Sequence, residues 1–200
     1  MAAASSPSET PLSAHHRKKQ PEQVRRALLD CAAQIAAEDG ASAITIQAVA
    51  TRAGVTKGGL LHHFDSKQAL LAAVFKDLLD KMDHEIERTM AGDPVARGRF
   101  TRAYVRACFS DRLLGERSLW GALSVAIVSE PALRSLWSAW LDDRMARHAE
   151  TDGDPRLIAV RLAADGVWLA DMMEKAGGLT RYPQAFEQAL LQMATAEHPG

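Results

Sequence analysis

The sequence predicts an all-α protein of about nine helices. Apolar residues recur at spacings of three and four through most of the chain. No stretch sustains the period-two alternation of a half-buried strand. Glycines and prolines mostly fall where one periodic segment gives way to the next.

Residues 1–20 are rich in Ala, Ser, Pro and His, lack periodicity, and are expected to be a disordered tail. The tail closes on Arg17, Lys18 and Lys19, which are either solubilising or graze DNA. The first helix is expected from Glu22 to Gly40, with Pro21 in its first turn and Val24, Leu28, Cys31 and Ile35 on one stripe. A second follows over 46–53, with Thr45 as N-cap, and Gly54 ends it. Thr56 caps a third, 57–62. Ser66 caps a fourth, from Lys67 to about Met90, with Leu70, Val74, Leu78 and Met82 in line.

Further helices are expected over 95–109, 118–128 and 131–149. "TDGDP" (151–155) is a loop in which Asp154 caps and Pro155 opens the next helix, which runs to about Ala176. Gly177-Gly178 stops it, and a last helix covers 183–194. These elements divide into a tail (1–20), a small three-helix unit (21–66) and a larger helical domain (67–200).

Bulk properties bound the function. Hydrophobic residues are 47% of 200, enough for a core, and net charge is −1. No apolar run approaches the roughly 18 residues of a membrane helix, and the start lacks a signal peptide's pattern. A soluble, cytoplasmic protein without membrane partners is expected. Residues 1–67 hold 8 Lys+Arg against 6 Asp+Glu, which permits nucleic-acid binding there. Cys31 and Cys108 are read as small buried apolar residues, with neither a disulfide framework nor a zinc site. No cofactor or metal is expected. Adjacent helical residues point about 100° apart, so His62-His63 is no metal site. The chain lacks a nucleophile elbow, a paired metal motif and a phosphate loop, which argues against an enzyme.

The two short helices joined by Ala53-Gly54-Val55 make a helix-turn-helix pattern. Gly54 supplies the turn, Ala50 is small where the helices approach, and Val49, Val55 and Leu60 fill the little core. Such a pair lays its second helix in a major groove while the first meets the backbone. The puzzle within it is "GVTKGGLLHHF" (54–64), where Gly58 and Gly59 sit inside a helix they weaken by roughly 1 kcal/mol each.

"ITIQAVATRAGVTKGGLLHHFDSKQALL" (44–71) resembles the DNA-binding segment of the tetracycline-repressor (TetR/AcrR) family of bacterial regulators. The likeness is close from about Glu22 to Phe75 and only architectural beyond residue 90. "RLAADGVWLADMM" (161–173) is similar, more weakly, to the eighth helix of multidrug-responsive members. The resemblance implies that the glycines clear space for close approach to DNA. It implies that Lys57 reaches a guanine edge or phosphate, Thr56 contacts phosphate while capping, and His62 faces DNA. His63 and Phe64 fall at positions that pack the small domain. Thr45 and Lys67 sit at helix starts whose free N–H groups take phosphate. The DNA-binding set is therefore Thr45, Thr56, Lys57, Gly58, Gly59, His62 and Lys67. Leu61 stands where many relatives have Tyr, so one phosphate contact is expected to be missing. Outside this motif Lys57 would be an ordinary solvated lysine.

The C-terminal half carries all four tryptophans. A Met and aromatic stripe is ordinarily core, yet the family implies an apolar effector cavity, for which Tyr104, Phe109, Trp120, Asp165, Trp168, Leu169 and Met172 are the candidates. Asp165 lies in an apolar stretch and is costly if buried unpaired; it either pairs with an Arg or awaits a cationic ligand. Residues 157–167 (Leu157, Val160, Ala164, Val167) and 186–193 (Phe186, Leu190, Met193) are apolar on more than one face. The family solution is a four-helix homodimer interface whose two-fold axis matches a palindromic operator.

The expectation is thus a homodimeric, cytoplasmic repressor that binds palindromic double-stranded DNA and is released by a small hydrophobic effector, neutral or cationic. The regulated genes would be an efflux system or, alternatively, a catabolic operon under metabolite control. A helical interaction protein that binds no DNA is the rival class.

Overall fold

A computed structural model of the protein describes residues 13–110, 119–173 and 183–195. Among them are ten α-helices and one 3-10 turn, with no strand. The helices are α1 (Ser13–Asp39), α2 (Ile46–Arg52), α3 (Lys57–His63), α4 (Lys67–Ala91) and α5 (Arg99–Cys108), then α6 (Leu119–Ser129), α7 (Pro131–Arg147), α8 (Ala149–Asp152), α9 (Pro155–Met173) and α10 (Pro183–Thr195).

The extra element is α8, one turn where the sequence predicts that the preceding helix ends at about Ala149 and a loop follows over 151–155. The chain breaks at His148, and α8 delivers Asp152 into the interior, where it is fully buried. The other departure is the start of α1, which begins at Ser13 with Pro21 inside it. Ala14, Arg17, Lys18, Lys19 and Gln20 are strong helix formers, and they outweigh the one backbone donor that proline removes. The side chains of Arg17, Lys18 and Lys19 lie outside the described residues.

One continuous core runs from Leu28 to Ala194. Helix α1 gives it Leu28, Ala32, Ile35 and Ala36. Helix α4 gives the expected stripe of Leu70, Val74, Leu78 and Met82, and it packs on α1, α5 and α7. Helix α5 is the central strut, buried at eight of its ten positions and covered by α4, α9 and α10. Cys108 is buried in it, and Cys31 is half-buried.

Leu190 corrects an expectation. It is 6% exposed within the single chain, as part of the core of α10, and not on an outer face. Among the described residues, the large apolar side chains left outward on the last two helices are Ile158, Leu162, Leu169 and Met193. Two apolar faces were legible, but which one turns inward depends on where α5 lies.

Candidate functional site

Three short-range devices build the N-terminal site. Thr45 caps α2 by accepting from the Ala48 N–H at 3.0 Å. Thr56 caps α3 by accepting from Gly59 at 3.0 Å, and Ser66 caps α4 by accepting from Ala69 at 3.0 Å. Gly54 takes φ +67° between the two short helices, a conformation that costs other residues strain. Val49, Ala50, Leu60 and Phe64 close the small core. Arg25 on α1 lies over the Phe64 ring at 4.3 Å and donates to the His63 carbonyl at 3.3 Å, pinning the end of α3.

The outer surface of α3 presents Thr56, Lys57, Gly58, Leu61 and His62, all exposed. His63 is half-buried, as is Lys67 at the first position of α4. The two glycines separate. A Cβ on Gly59 would lie 3.2 Å from the Thr56 hydroxyl that makes the cap. A Cβ on Gly58 would meet nothing within 4 Å. A side chain at 59 would thus press on the cap, whereas the protein itself leaves room for one at 58.

Sequence reading passed over Gln47, Thr51 and Arg52 on α2. Gln47 and Thr51 are exposed one turn apart and joined at 3.1 Å, and Arg52 is held by Glu38 at 2.7 Å. Their signal was available: polar residues four apart on the outer side of the first helix of the pair.

The second site lies where α5, α7 and α9 meet. Tyr104 is 1% exposed, and its hydroxyl donates to Asp165 at 2.5 Å. Burial pushes the Asp165 carboxyl up to about 6, although the Tyr104 hydroxyl and the Arg161 charge pull the other way. Burial likewise raises Tyr104 far above the usual phenol range. The expected Arg partner is not what Asp165 has. Arg161, one turn earlier, spends its donors on the Thr101 hydroxyl and the Asp152 carbonyl (3.3 and 3.2 Å). Asp152 in turn accepts from the Thr101 N–H at 2.7 Å and its hydroxyl at 2.6 Å. Asp152 on α8 thus draws Arg161 away and leaves Asp165 to a phenol.

Around Tyr104 the aromatic rings run in a chain. Trp140 stacks near Tyr104 with centroids 6.4 Å apart and on Trp137 at 5.2 Å. Trp137 meets Trp120 edge-on at 5.5 Å, and Trp120 stacks on Phe75 of α4 at 6.1 Å. Phe109 is half-buried at the end of α5, whereas Leu169 is 46% exposed. The Trp168 and Met172 side chains lie outside the described residues. Two open clefts, of about 510 and 330 Å³, lie elsewhere, beside Arg102 and Arg106 and beside Arg25 and Leu136. No described helix is long and apolar enough to cross a membrane.

Residues 28–74 match the family of bacterial regulatory proteins called tetR, and residues 98–195 match the tetracyclin repressor-like C-terminal domain. The chain belongs to the TetR family. Among its TetR-family relatives is the HTH-type transcriptional repressor KstR of Rhodococcus jostii (strain RHA1). It is 29% identical over 191 residues, 94% of this chain and 85% of that repressor. The repressor KstR2 of the same organism is 41% identical over 58 residues, a match that spans only 28% of its length. Among solved structures, a transcriptional regulator from Rhodococcus sp. RHA1 superposes with a TM-score of 0.61 at 26% identity, covering 87% of this chain and 93% of that one. The multidrug binding protein EbrR complexed with malachite green gives a TM-score of 0.66 at 18% identity, covering 86% and 98%, a likeness of fold alone.

Proposed function

We propose that this TetR-family chain is a dimeric repressor that reads a palindromic operator with α3 and lets go when a small hydrophobic effector binds its larger domain. The carrying observation is Gly58. It is exposed at the start of α3, it weakens the helix, and no protein atom within 4 Å of its would-be Cβ accounts for it. Close approach of a DNA backbone or base edge accounts for it.

In this reading residues 21–66 are the reading head and 67–200 the regulatory domain. Lys57 and His62 contact DNA beside Gly58, Thr56 and Gly59 shape the helix start, and Thr45 and Lys67 lie at the flanking helix starts. Gln47 and Thr51 on α2 join them at the phosphate backbone. Lys57 and His62 are exposed and make no ion pair among the described residues, which suits donors kept for a phosphate or a base.

The effector is placed against Tyr104, Trp120 and Asp165, with Phe109, Trp168 and Met172 as further walls. Aromatic faces and one carboxylate suit an apolar molecule carrying a donor or a positive charge. EbrR, a multidrug binding protein of the same fold, takes malachite green, so a triphenylmethane dye is a sensible first probe. Leu169, exposed like Ile158, Leu162 and Met193 on the last two helices, suits the subunit contact better than the effector site.

Selection of duplexes from a random-sequence pool, followed by titration at several salt concentrations, tests the reading. A two-fold symmetric motif bound with a steep salt dependence is expected. Retention of no duplex above background would reject it in favour of a helical interaction protein.

A further inference from the structure

We infer that Trp140 and Arg144 of α7 are the positioning residues that link the effector site to the DNA-reading head; the inference rests on the function proposed above. Helix α4 starts at the Ser66 cap, two residues beyond the Phe64 that closes the small core, so the start of α4 and the end of α3 form one corner. Farther along, Asp83 and Glu87 stand one turn apart on α4. Arg144, 1% exposed, pairs with both carboxylates at once. Burial works against the Asp83 charge, yet Arg144 and Trp140 hold its carboxyl below the usual range.

Trp140 completes the link. Its indole N–H donates to Asp83 at 3.0 Å, while its ring lies against Tyr104 and Trp137 in the aromatic chain. One rigid side chain therefore touches the proposed effector wall with its face and the α4 helix with its edge. An indole cannot tilt to admit a ligand beside Tyr104 and keep an aligned N–H on a fixed carboxylate. Either Asp83 follows, carrying α4, or the hydrogen bond is lost. Arg144 one turn on is bidentate in effect, gripping two carboxylates, so rotation of α7 and displacement of α4 are coupled. The aromatic chain also reaches α4 through Trp120, stacked on Phe75. A coupling free energy acts in both directions, so DNA held by α3 must in turn restrain α7.

That reciprocity gives a test without knowledge of the effector. Hydrogen exchange of the full chain is followed with and without the duplex selected from the random pool, with α10 amides as reference. In the wild type, duplex binding is expected to slow exchange in α7 at least threefold and to shift the indole fluorescence. In Arg144→Met the α7 protection falls to under half, with duplex still bound. Trp140→Phe keeps an aromatic ring without the N–H, and is the variant to use if Arg144→Met folds poorly; it loses the same protection and the fluorescence shift. Tight duplex binding with α7 exchange unchanged in the wild type overturns this inference alone, as does protection undiminished in both variants. Failure to select any duplex overturns the DNA reading and this inference with it.

Discussion

The Tyr104 hydroxyl donates to Asp165 at 2.5 Å across the α5–α9 contact, and Arg161, on the same helix as Asp165, looks the other way to Thr101 and Asp152. A carboxyl answered by a phenol keeps most of the cost of burying its charge. Among the described residues it makes no ion pair and feels Arg161 only at a distance, unlike Asp93, whose Arg102 partner sits at 2.7 Å.

That cost has a sign in pH. Asp165 titrates near 6 folded and, as an ordinary aspartate, near 4 unfolded. The folded state binds the proton more tightly, so between about pH 4 and 6 stability falls as pH rises, and the loss is complete above 6. Asp165→Asn removes the charge and keeps the shape. Chemical denaturation should show the variant level with wild type below pH 4 and more stable above pH 7, by on the order of 2 kcal/mol. A variant less stable than wild type at pH 7.5 would mean that Asp165 is part of a stabilising ion pair after all.

Lys57→Ala should weaken operator binding by ~1–3 kcal/mol and relax discrimination at one base step if Lys57 reads a base. If it meets only phosphate, all sequences weaken alike and the salt slope flattens by about one unit. Affinity equal to wild type at fixed salt would take Lys57 out of the interface.

The two glycines should respond differently. Gly58→Val should weaken DNA binding without lowering the melting temperature, since the protein leaves room for a side chain there and valine forms helix more readily than glycine. Gly59→Ala should press on the Thr56 cap, 3.2 Å away, and so gain less than the roughly 1 kcal/mol that alanine brings at an unhindered helix position, before DNA is added. Normal DNA affinity in Gly58→Val would end the close-approach explanation.

Two leucines test the subunit contact. Leu162 is 65% exposed in the single chain, and Leu190 is buried. Leu162→Arg should give a folded monomer by sedimentation, whereas Leu190→Arg should fail to fold, with an unpaired charge in the core. A dimer unaltered by Leu162→Arg would move the contact off α9.

What the sequence made legible follows from range. The Thr45, Thr56 and Ser66 caps and the Gly54 turn act over three or four residues, and each is where sequence reading puts it. The α4 stripe is equally local, since period and burial coincide on one helix. The partner of Asp165 was not legible, because Tyr104 is 61 residues away and competes with an Arg at plausible helical spacing. The inward turn of Leu190 was hidden for the same reason: a helix apolar on two sides does not say which side meets the core. One-turn α8 was hidden in "HAETDGDP", whose loop signals are real and whose buried Asp152 is visible only against Thr101 and Arg161.

The Thr56–Gly59 contact also bears on how such a regulator diverges. On the proposed reading, residues 57, 58 and 62 are exposed and can be exchanged without disturbing the cap. Residue 59 is less free, because a Cβ there stands 3.2 Å from the hydroxyl that starts the helix, and that hydroxyl must give by a few tenths of an ångström. After a gene duplication, a copy drifting toward a new operator would change most freely at 57 and 62, while 58 stays small where DNA comes close and 59 stays small beside the cap. The alphabet available to the recognition helix is thus set in part by a threonine hydroxyl that need never touch a base.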